Sequence, residues 1–213
     1  MKHKYVLKII CRKNEEKYLR TLVEKIIKEL EKFFETKFNS NVHLKVVYTR
    51  AEMNGIIKKE TPQWMIANAN KGKIVIFSPS VFEKVSPHSK KEFPRVLKHE
   101  FCHIFADEFP PLPRWLEEGL AGYVAGQSNP KFAKIKSLNK LYYKKDWDKE
   151  PGYQFAYFAV KYLVENYGKR KFFRLMSKAD MNFTLDKFNL IFKQIYKIPV
   201  AKFDRILEKE LSK

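Results

Sequence analysis

The stretch Arg95-Val-Leu-Lys-His-Glu-Phe-Cys-His-Ile-Phe-Ala-Asp107 contains His99-Glu100-Phe101-Cys102-His103, the pattern H-E-x-x-H. Read as a helix, it puts His99 and His103 one turn apart on one face, where both imidazoles can reach a single metal ion. Glu100 then projects beside them, able to take a proton from an activated water without itself ligating the metal. Leu97, Phe101, Ile104 and Phe105 supply the apolar positions that would bury such a helix. Shuffling 5 His and 18 Glu through 213 residues would give about 0.01 such matches, so chance is a poor account of the motif. The stretch points to a zinc-dependent hydrolase built on a buried helix.

Composition bounds what can surround it. A chain of 213 residues with 45% hydrophobic content, 18 Phe and 11 Tyr is expected to fold as one domain with a real core. No apolar run is long enough to span a membrane. Lys8 interrupts the apolar N-terminal stretch and no small-residue cleavage site follows, so the expected location is cytoplasmic. Two cysteines, Cys11 and Cys102, make no disulfide framework, and Cys102 is expected as a core thiol. The net charge of +19 comes from 43 basic and 24 acidic residues. No nucleic-acid motif or phosphate loop focuses it, so it reads as lysine-rich solvated faces. The alternative reading is a basic, metal-containing protein that binds nucleic acid or another partner.

Outward from the motif, the N-terminal half carries strands. Tyr5–Cys11 is a short β-rich run, and Val42–Tyr48 alternates apolar with polar residues, leaving His43 on its polar side. Between them a helix opens at Asn14-Glu-Glu, with Asn14 as N-cap and Leu19, Leu22, Val23, Ile26, Ile27, Leu30, Phe33 and Phe34 as its apolar face. Asn39-Ser-Asn is expected to end it. Asn54-Gly55 and Thr61-Pro62 mark a loop beside Trp64, and Lys71-Gly72 turns into the strand Lys73–Phe77. Two starts compete for the motif helix: Ser89 with Glu92 as a capping box, and Phe93 with Pro94 at the first helical position. The second is preferred, because a proline late in the first turn would sacrifice a backbone bond.

Beyond Asp107, Phe109-Pro-Pro-Leu-Pro113 is a stiff connector into a helix from Arg114 to Val124. Helical periodicity follows over Lys131–Leu141 weakly, then Tyr153–Tyr167, Lys169–Lys178, Leu185–Tyr196 and Val200–Leu211, with Gly168 as a stop. The fold class is therefore α+β, with a sheet-bearing lobe over about residues 1–110 and a helical lobe over about 111–213.

A catalytic zinc takes three protein ligands and keeps one position for water. The histidines are His3, His43, His88, His99 and His103, so none follows the motif. Asp107 and Glu108 lie on or just past the same helix, where closing a tetrahedron is awkward. Glu117 and Glu118 sit on the next helix, and both flank its Leu116-Leu120-Val124 stripe, so periodicity does not separate them.

The two segments together, His99-Glu-Phe-Cys-His103 and Pro113-Arg-Trp-Leu-Glu-Glu-Gly-Leu-Ala-Gly-Tyr123, resemble the gluzincin metallopeptidases, most closely their small peptidase-MA-like branch. The resemblance implies a zincin-like fold: a small mixed sheet with an edge strand on the H-E-x-x-H helix, followed by a helical lobe. It implies Zn2+ held by His99, His103 and Glu118, with Glu117 facing solvent, and a peptide or protein substrate. Trp64, Ala67 and Gly72–Ile76 look like the family's edge strand, along which an extended peptide would lie. Tyr153–Gly168 looks like its downstream helix, and Tyr153 is favoured as the oxyanion donor over Tyr157 and Tyr123. The acid that larger relatives carry four residues after the third ligand is here Gly122, which leaves Asp107 as the candidate support for a zinc histidine. The substrate-amine motif of the aminopeptidase branch is missing.

Overall fold

A computed structural model of the chain describes residues 5–127, 137–143, 147 and 152–212. The chain divides into two compact units, Met1–Phe105 and Ala106–Lys213.

The first unit holds a four-stranded mixed sheet in the order β1-β2-β4-β3. Strands β1 (Leu7–Ile10), β2 (Val42–Val47) and β4 (Lys73–Phe77) run parallel, and β3 (Ala67–Asn70) pairs antiparallel with β4. The alternation in β2 is realised: Val42, Leu44 and Val46 are buried while His43 and Lys45 face solvent. Helix α1 (Lys13–Phe34) joins β1 to β2 and buries Leu19, Val23, Ile26, Ile27, Leu30 and Phe34. Four-residue steps along that list explain why the segment is helical.

Several local expectations change. The residue before α1 is Arg12, whose side chain makes no cap, and Asn14 lies inside the first turn. The helix stops at Phe34, ahead of Asn39, because Glu35 turns left-handed at φ 57. That turn lets Phe38 fold back onto Phe105, with ring centroids 4.7 Å apart. Asn54-Gly55 lies in a helix, α2 (Arg50–Ile57), whose cap Thr49 accepts from the Glu52 N–H. Thr-x-x-Glu was the overlooked start signal. Arg50 donates to the carbonyls of Pro62, Gln63, Met65 and Val85, which pins the irregular run before β3.

The strand Lys73–Phe77 is interior, flanked by β2 and β3, so the expectation that it forms the sheet edge is corrected. Lys71 and Gly72 both have positive φ (46 and 73), the backbone of a two-residue hairpin that folds Ala67–Asn70 back onto it. Both ladders of β4 are thereby occupied, and strand addition to 73–77 has no place. The edge on that side is β3.

Both competing start signals of the motif helix are used. After a short helix α3 (Phe82–Val85), Ser89 and Glu92 form the capping box of a 3-10 turn over Lys90–Glu92, and the α-helix α4 (Phe93–Ala106) follows directly. Pro94 thus falls where its missing N–H costs nothing.

In the second unit, α5 (Arg114–Ala125) follows the proline connector, and a 3-10 turn covers Leu138–Leu141. Among the described residues four further helices follow: α6 (Tyr153–Tyr167), α7 (Lys169–Met176), α8 (Leu185–Tyr196) and α9 (Val200–Leu211). The start of the weak helix expected over Lys131–Leu141 lies outside the described residues. Gly168, at φ 87, ends α6 as its position foretold. The core gathers Trp115, Leu116, Leu120, Phe155, Val160, Phe172, Phe188, Phe192 and Phe203, all essentially inaccessible. A side chain on Gly119 would overlap the Ala156 carbonyl, so that glycine permits the close approach of α5 and α6. Among the described residues no helix is long and apolar enough to cross a membrane.

Candidate metal centre

Helix α4 presents its histidines as the spacing requires. The His99 and His103 rings lie 4.8 Å apart between centroids, at 74° to one another. Both are half-buried, whereas Leu97 and Phe101 are fully buried and Ile104 and Phe105 nearly so. Phe105 stacks on Phe34 and Phe38 at 5.2 and 4.7 Å, which locks the helix against α1 and the turn after it. A 2.7 Å ion pair from Lys98 to Glu29 adds a surface tie between α4 and α1. Cys102 is a buried free thiol, as expected. Glu100, next to His99, is only 8% exposed.

In the second unit, burial separates the two glutamates that periodicity left equivalent. The Glu118 side chain is 4% exposed and that of Glu117 is 31% exposed. Both answer to Arg114, one turn earlier: its Nη1 donates to Glu117 Oε2 at 2.8 Å, and its Nη2 pairs with Glu118 Oε1 at 2.5 Å. Burial by itself lowers the pKa of the Arg114 guanidinium, but Glu118, Glu117 and the nearby Tyr153 more than reverse this and leave it above its ordinary value. Glu117 is therefore half of a helix-surface pair and not an unengaged solvent charge.

Tyr153 opens α6 with its ring edge-on to the buried Trp147, at 4.8 Å, and remains 36% exposed. It is accessible, and it is close enough to Arg114 to act on its charge. Tyr157, one turn on, packs against Gly122 and the ring of Tyr123, with centroids 6.2 Å apart. A Cβ at position 122 would meet Tyr157 at 3.6 Å, an ordinary van der Waals contact. Tyr123 is itself raised in pKa by burial and by Glu165.

Of the other candidates, Asp107 and Glu108 are exposed, as is His43 on the open side of β2. His88 lies 3.6 Å from Glu92, within the capping turn. Among the described residues the buried carboxylates are two, Glu100 and Glu118. Sequence reasoning missed Arg114, although Arg-x-x-Glu-Glu places both acids at helical i+3 and i+4 and was sufficient to find it.

Compared with known proteins, the chain matches the family described as BSP, peptidase of plants and bacteria, over residues 3–194. No curated protein matches it.

Proposed function

The chain belongs to this family of peptidases of plants and bacteria, and we propose that it is a zinc-dependent metallopeptidase of gluzincin type, a single zincin-like domain over residues 1–213. His99, His103 and Glu118 are its metal ligands, offering two imidazole nitrogens and a carboxylate oxygen. Such a donor set suits zinc, which takes nitrogen and oxygen ligands and leaves a fourth position open. The observation that carries this reading is the burial of Glu100 and Glu118 in a protein whose other described acids all reach solvent. Buried carboxylates are costly and are retained where a partner or a chemical role holds them.

Bound zinc would polarise the scissile carbonyl and bring the pKa of a water down to about 7. Glu100 accepts the proton of the attacking water and returns it to the leaving amine, and its sheltered position favours that exchange. Tyr153 donates its hydroxyl to the oxyanion that develops on the substrate. Phe101, Ile104 and Phe105 keep the helix buried so that His99 and His103 hold their relative orientation. The substrate is a peptide or protein. Asp107 is proposed as the support of a zinc histidine.

The test is metal content beside peptide hydrolysis in the Glu100→Gln variant. Zinc binding retained with hydrolysis lost is the expected outcome. Undiminished hydrolysis would remove Glu100 as the base, and absence of zinc from the wild-type protein would remove the metal assignment.

A further inference from the structure

We propose that Arg114 is a positioning residue for the metal-binding carboxylate of Glu118, an inference that rests on the three-ligand reading above. A carboxylate can meet a metal through one oxygen or two, and a buried one needs something to settle which. The Arg114 guanidinium takes Oε1 of Glu118, which restricts how the carboxylate can turn toward the metal.

Three features fit that task better than a fortuitous surface pair. The guanidinium is itself fixed: its other arm is held by Glu117 Oε2 at 2.8 Å. A planar fork gripped at both arms cannot swing away, which a lysine ammonium at the same place could. The backbone beneath is fixed as well, because the Arg114 N–H donates to the Tyr142 carbonyl at 3.2 Å. Gly119 lets this helix lie close to α6, where a Cβ would meet the Ala156 carbonyl. Finally, the pair is internal. Glu118 is 4% exposed and the Arg114 side chain 28%, a shelter in which electrostatic attraction is strengthened and salt screening reduced. Outer partners of metal ligands act in this way, fixing the orientation of the donor and tuning its strength.

The experiment is a zinc titration against a competing chromophoric chelator, together with the visible spectrum of the cobalt-substituted protein. It is run on the wild type, Arg114→Gln, Arg114→Lys and Glu117→Gln. Arg114→Gln is expected to weaken zinc by about 10–100-fold and to change the intensity of the cobalt bands as the carboxylate loses its fixed mode. Arg114→Lys should restore only part of the affinity, and Glu117→Gln, whose amide still accepts from Arg114, should stay near wild type. Folding is verified by urea unfolding, and the lysine variant serves if the glutamine variant does not fold. Unchanged zinc affinity and an unchanged cobalt spectrum in a folded Arg114 variant overturn the proposal. A wild-type protein that binds neither metal overturns the three-ligand reading and this inference with it.

Discussion

Helices α4 and α5 carry the candidate site residues in opposite manners. On α4 the two histidines are brought together by a local rule: four residues of spacing set their rings 4.8 Å apart, in half-buried positions. On α5 the carboxylate is a charge with 4% exposure, and helical spacing does not make such a position tenable. It needs Arg114 one turn away and Gly119 beside it, where α6 comes close. Two side chains on one helical face can be brought together by periodicity, whereas a buried carboxylate must be accompanied by its counterion and its packing.

Four substitutions probe that contrast, from the largest expected effect to the smallest. Glu100→Gln on α4 should lower kcat/KM for a peptide substrate by about 10²–10⁴-fold, the usual contribution of a general base. A loss of metal in the same variant would show that Glu100 helps to hold the ion, which erases the division of roles on that helix. Phe105→Ala removes the ring that stacks on Phe34 and Phe38. It should cost about 3–5 kcal/mol of stability in denaturant titration, and a much smaller loss would mean that α4 is not anchored through this cluster. Gly119→Ala inserts a methyl group against the Ala156 carbonyl, with an expected cost of about 1–3 kcal/mol. Thermal unfolding at the wild-type temperature would show that α5 and α6 can separate freely. Glu117→Ala breaks a partly exposed pair and should cost less than about 1 kcal/mol. A cost as large as that of Gly119→Ala would place Glu117 among the core supports of α5.

Much of this molecule was readable before any coordinates. The strand Lys73–Phe77 and the helices Tyr153–Tyr167, Leu185–Tyr196 and Val200–Leu211 fall where periodicity and punctuation put them. Their apolar residues repeat at the interval of the element, so the local pattern and the tertiary demand agree. The misreadings cluster where short-range signals compete. Asn54-Gly55 has the composition of a turn, yet the Thr49 cap and the Glu52 N–H carry the helix through it. Asn14 is a good cap by type, but the cap position is Arg12, two residues earlier, and the helix begins at Lys13. The status of Lys73–Phe77 as interior or edge depends on which strands arrive beside it, which no property of those five residues encodes.

At the site the same boundary can be drawn. That His99 and His103 share one face of a helix was legible in the sequence alone, because one helical turn is a local rule. Periodicity did not separate Glu118 from Glu117, and in the sequence only the family resemblance favoured Glu118. Adjacent acids on a helix differ by about 100° of rotation, and only the packed structure decides which of them turns inward. The Arg114 partner is a local i,i+4 contact, but the burial of Glu118 and the close approach at Gly119 are consequences of neighbours folding against the helix, and these only the tertiary structure supplies.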